Sequence, residues 1–175
     1  MIPLKDENPI KNFPIVTIIF IASNTVIFIY QTILATEPFV TFKIYGLIPA
    51  HLIDSPIKAY PTIYSSMFLH SGIGHLAGNM LYLWIFGNNI EDVLGKFKFI
   101  IFHMICGTIA SIGHIFTDLH SKIPMVGASG VISGILGGYL ILFPFTRVKT
   151  LVFLGFLITI IHIPAIILII TWIII

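Results

Sequence analysis

The placement of charge constrains this chain more than any other feature. Its nine lysines and arginines and seven aspartates and glutamates, spread over 175 residues, leave five apolar runs between them, at about 13–35, 74–94, 99–117, 124–143 and 150–175. Each run is close to the twenty or so residues that a helix needs to cross a bilayer. With 57% of residues hydrophobic and 9% charged, the chain is too apolar for a soluble domain of this length. The expectation is an all-α polytopic membrane protein, a helical bundle with about five transmembrane spans. Residues 1–12 read as a cytoplasmic segment and 13–175 as the transmembrane domain. The opening "MIPLKDENPIKNF" carries both signs of charge. No small-residue cleavage site follows the first run, which marks an uncleaved span rather than a signal peptide.

Orientation follows from the basic residues. With the N-terminus cytoplasmic, Lys5, Lys11, Lys96, Lys98, Arg147 and Lys149 lie inside, and Lys43, Lys58 and Lys122 lie outside. The second and fourth runs then start at the same outer face. Ser129, five residues after Pro124, is expected about 7.5 Å down a helix at 1.5 Å per residue. A net charge of +2 with scattered basic residues gives no nucleic-acid footprint.

The acidic residues Asp6, Glu7, Glu37, Asp54, Glu91, Asp92 and Asp118 all fall in loops or at run ends. This pattern excludes an intramembrane aspartyl protease and disfavours a carboxylate-driven transporter. No His-Glu-x-x-His stands in the chain, which argues against a zinc protease. The single cysteine, Cys106, leaves no disulfide framework within the chain, and no metal or organic cofactor is implied. Serine, histidine and asparagine remain to carry chemistry.

His75 and Asn79 are four residues apart and share one face of a helix. Both donate hydrogen bonds without a permanent charge. If that face meets Ser129, a hydroxyl and two donors converge on one point, the equipment that stabilises an acyl-transfer oxyanion. "GASG", Gly127 to Gly130, would let the backbone turn and approach closely. It does not match the Gly-x-Ser-x-Gly elbow of soluble hydrolases, because Val131 stands at the last position. Gly130, Gly134 and Gly138 form a small-residue ladder suited to helix packing.

In "HSGIGHLAGNM", "GNNIEDVLGKFKF" and "GASG", and in their order and separation, the chain resembles the rhomboid family of intramembrane serine proteases. The resemblance implies a rhomboid-like bundle with Ser129 as nucleophile and transmembrane protein substrates. It implies that His75, Asn79 and the Ser129 N–H form the oxyanion hole, with His70 a structural position near the site. In such proteases the base is a histidine on a further span. No such segment precedes the end of the sequence at "ITWIII", so the domain is expected to be incomplete at its C-terminus. His162 and His114 are the other histidines that could serve as base, and His103 should lie nearer the inner side. The alternative is an inactive rhomboid-like protein that binds transmembrane helices, and a small transporter with histidine relays is a third, weaker reading. The expected location is the plasma (inner) membrane. The sequence leaves the oligomeric state open.

Overall fold

The computed structural model of the chain describes residues 1–34, 38–155 and 157–174. Ala35, at the end of the first apolar run, and Glu37, in the loop after it, lie outside the described residues. The first run forms α1 (Ile15–Ile29), continued by a wider π turn (Tyr30–Leu34). Short helices α2 (Pro38–Tyr45), α3 (Pro49–Asp54), α4 (Pro56–Ala59) and α5 (Thr62–Ser65) and a 3₁₀ turn (Ser66–Phe68) fill the connection that follows. Prolines at the start of α3 and α4 fit the first helical turn, where a backbone N–H has no partner to lose.

The second run is helical from Ile73 to Leu94, as α6 (Ile73–Tyr82), a π turn (Leu83–Gly87) and α7 (Asn88–Leu94). Gly95, with φ of 77°, breaks the chain before α8 (Lys96–Thr117). Then comes α9 (Ser129–Leu142). Among the described residues, Ile15–Ile33 and Lys96–Thr117 are long and apolar enough to cross a membrane, and α9 is a shorter apolar helix. Phe97, Ile101, Ile105, Ile109, Ile112 and Phe116 form an exposed apolar stripe along α8.

α9 sits at the centre of the fold. Its Val131, Ile132, Ile135, Leu136 and Tyr139 are all buried, packed with Leu83, Phe86, Ile90 and Phe99. A Cβ added to Gly130 would stand 2.6 Å from Ala110 Cβ, and one on Gly134 would stand 2.4 Å from Cys106 Sγ. The small-residue ladder is therefore the seam along which α8 and α9 touch.

Buried Glu91 ties α1 to this centre. It accepts hydrogen bonds from Val16 N (3.0 Å), Thr17 N (2.8 Å) and Thr17 Oγ1 (2.7 Å), so a carboxylate sits on the positive end of α1. Its neighbour Asp92 takes the backbone N–H groups of Lys11 and Asn12.

Three expectations are corrected. The last apolar run is not one helical span, and the fold is not purely helical. Residues Arg147–Leu154 and Leu157–Pro164 form strands β2 and β3, followed by α10 (Ala165–Ile174), and Ile2–Asp6 adds β1 in the order β1-β2-β3. "LITIIHIP" is rich in β-branched residues, Gly155 supplies the turn at φ 60°, and an unbroken apolar run has no periodicity to separate strand from helix. Within residues 1–12, Ile2–Asp6 pairs antiparallel with β2. Asp6 Oδ2 accepts from Tyr139 Oη and Asn89 Nδ2 under the sheet. The fourth run also starts later than expected: residues 124–128 are not helical, so Ser129 opens α9 instead of lying one turn or more inside it.

Glu91→Ala leaves three buried donors of the first turn of α1 without an acceptor. The expected cost is about 3 kcal/mol, read as a lowered melting temperature of the purified chain in detergent.

Candidate active site

The backbone before Ser129 is held from two sides. Leu47 and Met125 exchange backbone hydrogen bonds (3.1 and 2.8 Å), and Gly127 N–H donates to Ser66 O at 2.9 Å. Gly127 has φ of 122°, a conformation that side-chain-bearing residues rarely adopt. This glycine breaks the apolar run and sets where α9 begins. Ser129 is exposed at the first position of α9, whose N-terminus no side chain caps. It borders a cavity of about 210 Å³ shared with Met67, Ser111, His114 and Met125. Ser133, one turn on, donates to Ser129 O at 2.9 Å.

His75 and Asn79 project from the start of α6 towards the same loop. His75 Nδ1 is 3.0 Å from Ser71 Oγ, which leaves the Nε2 edge free. That edge lies against Gly127: a Cβ there would be 2.7 Å from His75 Cε1 and 2.8 Å from Nε2. Asn79 is buried, and its Nδ2 would be 3.8 Å from the same Cβ. That Nδ2 has no hydrogen-bond partner. An unpaired buried amide donor costs free energy, and a functional task is one reason for a fold to carry that cost. The geometry thus brings two donors and a free helix N-terminus to the residues just before Ser129, an arrangement suited to developing negative charge.

His70 is fully buried, edge-on to His75 with ring centroids 5.1 Å apart. Its ring nitrogens make no well-formed hydrogen bond, and the backbone of Phe68 is the nearby polar group that acts on the ring. Its main chain is clamped by Gln31, whose Nε2 donates to His70 O and whose Oε1 accepts from His70 N. Sequence reasoning missed Gln31, although it is one of two amides, with Asn24, in the apolar run at 13–35. Burial, and secondarily the charge of His75, lowers the His70 pKa from 6.5 to about 4.

Gly130 lines the same cavity as Ser129 and also packs in the α8 seam, against Ala110. His114 shares the cavity of Ser129, whereas His162 does not. His162 lies on β3 opposite Lys149, 3.6 Å from Glu7, beyond the far end of α9. The 14 residues of α9 put that end about 20 Å from Ser129. His103 is buried and stacked on Phe20, with centroids 3.7 Å apart.

Residues 58–175 match the Rhomboid domain. The chain belongs to the rhomboid family. Members of this family are integral membrane proteins with a helical fold. Among relatives, the chain is 34% identical over 99 residues to Rhomboid protein 1, mitochondrial, of Saccharomyces cerevisiae, covering 53% of this chain and 28% of that one. It is 40% identical over 72 residues to Rhomboid protease GluP of Bacillus subtilis, covering 41% and 14%. It is 30% identical over 118 residues to Presenilin-associated rhomboid-like protein A, mitochondrial, of Danio rerio, covering 66% and 29%. The matches thus span less than a third of the length of each of these relatives. The family includes proteins named as proteases and proteins named only as rhomboid-like.

Two outcomes are expected. Gly127→Ala forces a side chain into a strained backbone and into the His75 ring, costing about 2 kcal/mol of stability in thermal melts. The folded chain resists protonating His70, whereas the unfolded chain protonates it near pH 6.5. Stability is therefore full above pH 6.5 and falls as pH drops towards 4, and His70→Asn flattens that part of the melting-temperature profile.

Proposed function

We propose that this rhomboid is an intramembrane serine endopeptidase that cuts transmembrane segments of membrane-protein substrates near the outer face of the plasma (inner) membrane, with its N-terminus cytoplasmic. The observation that carries the proposal is the buried, unpartnered Nδ2 of Asn79, held with the His75 edge against the loop that leads into Ser129.

In this mechanism Ser129 Oγ attacks a peptide carbonyl of an unwound substrate segment. The oxyanion takes hydrogen bonds from Asn79 Nδ2, His75 Nε2 and the Ser129 N–H at the positive end of α9. The Oγ proton passes to a histidine base and then to the leaving amine. Water attacks the acyl-enzyme, releases the new carboxylate and returns the proton to Ser129. The base comes from a histidine on a further span, and His114 is the alternative because it borders the same cavity.

One observation favours a second reading, a rhomboid-like protein that binds transmembrane helices without cutting them. Among the described residues no histidine hydrogen-bonds to Ser129 Oγ, and an unactivated hydroxyl is a weak nucleophile.

A fluorophosphonate probe and a fluorogenic transmembrane substrate separate the two on the full-length protein. For the enzyme, the probe labels Ser129, Ser129→Ala abolishes labelling and cleavage, and Asn79→Ala lowers kcat by on the order of 100-fold. Cleavage that survives in Ser129→Ala defeats the assignment. Substrate capture without labelling or cleavage establishes the binding role.

A further inference from the structure

The outward face of the three-stranded sheet has two zones of opposite character. The register sets Lys5 opposite Lys149 and Lys149 opposite His162, so three basic side chains line up across the strands on one face. A bulge between Pro3 and Lys5 brings Lys5 onto that face and turns Asp6 inward to Tyr139 and Asn89. Arg147, two residues before Lys149, shares the face. All four side chains are exposed. Like charges directly opposite each other weaken a sheet. Glu7, 3.6 Å from His162, is a carboxylate beside the row, at one end of it.

Towards the hairpin turn the same face becomes apolar. Leu151 pairs with Ile160 and Phe153 pairs with Ile158, and Ile2 of β1 stands opposite Leu151. Phe153, Ile158, Ile160 and Ile2 are exposed. Four residues separate Lys149 from Phe153, about 13 Å at 3.3 Å per residue. That reach exceeds the roughly 5–10 Å to which interfacial elements enter the headgroup and acyl boundary, so the turn end can enter lipid while the basic row stays at headgroup level.

We propose that this sheet face is a docking surface for anionic phospholipid. The turn end enters the acyl region, and Lys5, Arg147, Lys149 and His162 hold the headgroup phosphates. Opposed cations that weaken the sheet in isolation become a matched receptor when anionic headgroups neutralise them. The surface lies beyond the end of α9 opposite Ser129 and does not depend on the chemistry there.

The test uses the full chain in nanodiscs of mixed phosphatidylglycerol and phosphatidylcholine, with lipids retained on the protein counted by native mass spectrometry. Wild type is expected to retain phosphatidylglycerol preferentially. Lys149→Glu turns the repulsive Lys5–Lys149 pair into an attractive one and sets a carboxylate opposite His162, so its melting temperature should hold or rise. Its preference for phosphatidylglycerol should nevertheless fall by on the order of 30-fold, since each cation near an anionic surface is worth about fivefold. Phe153→Ser should weaken retention of phosphatidylglycerol while leaving displacement by inorganic phosphate unchanged. If Lys149→Glu fails to fold, the pair Lys5→Gln and Arg147→Gln carries the same expectation of lost preference. The proposal is overturned if wild type shows no preference, if the charge variants keep it, or if inorganic phosphate strips the lipid completely, which would mark a free-anion site.

Discussion

The contact between α8 and α9 decides where the rest of the chain can go. In lipid, helices gain little from hiding apolar surface, so they associate where small residues let dispersion contacts form at short range. Gly130 against Ala110 and Gly134 against Cys106 meet that need, with no space for even one added carbon at either glycine. Held at that distance, the buried face of α9 becomes the wall on which α6, the π turn at Leu83–Gly87 and α10 pack. Ser129 is placed by the same seam, because it is the residue at which α9 begins.

The two ends of α9 treat buried polar groups differently. At the Tyr139 end, Asp6 accepts from Tyr139 and Asn89, and Asn8 donates to Tyr139 Oη and accepts from Thr146. Nearby, Glu91 is fully used by the first turn of α1. At the Ser129 end, Asn79 Nδ2 and Ser111 Oγ are buried without partners. Satisfied networks make one end a rigid anchor, and unmet donors at the other end are the feature expected where charge develops only during a reaction. The backbone there is tightly fixed even though the donors are free: Gln31 clamps His70, and Ser66 and Leu47 hold the approach to Ser129.

Much of the helical frame was legible in the sequence because charges and Gly95 mark run ends directly. The first three apolar runs became helices close to their expected limits, and the glycine ladder became the α8 seam. The pairing of His75 and Asn79 was legible through helical spacing alone. The start of α9 was not, because the interruption at Gly127 depends on hydrogen bonds to Ser66 and Leu47 from distant parts of the chain. The sheet was hidden for another reason. An apolar run rich in β-branched residues satisfies both a span and a hairpin, and only pairing with Ile2–Asp6 separates them.

The sequence by itself determined the membrane character of this rhomboid, the helical periodicity that puts His75 and Asn79 on one face, and the small residues that allow close packing. These are properties of composition and spacing, read one segment at a time. The tertiary structure alone decided that those side chains meet the loop before Ser129, that Gln31 secures His70, that His162 lies at the far end of α9, and that three cations and a histidine gather on one sheet face. Each of these depends on which segments become neighbours, and that is set by long-range packing and hydrogen bonding that no local pattern encodes.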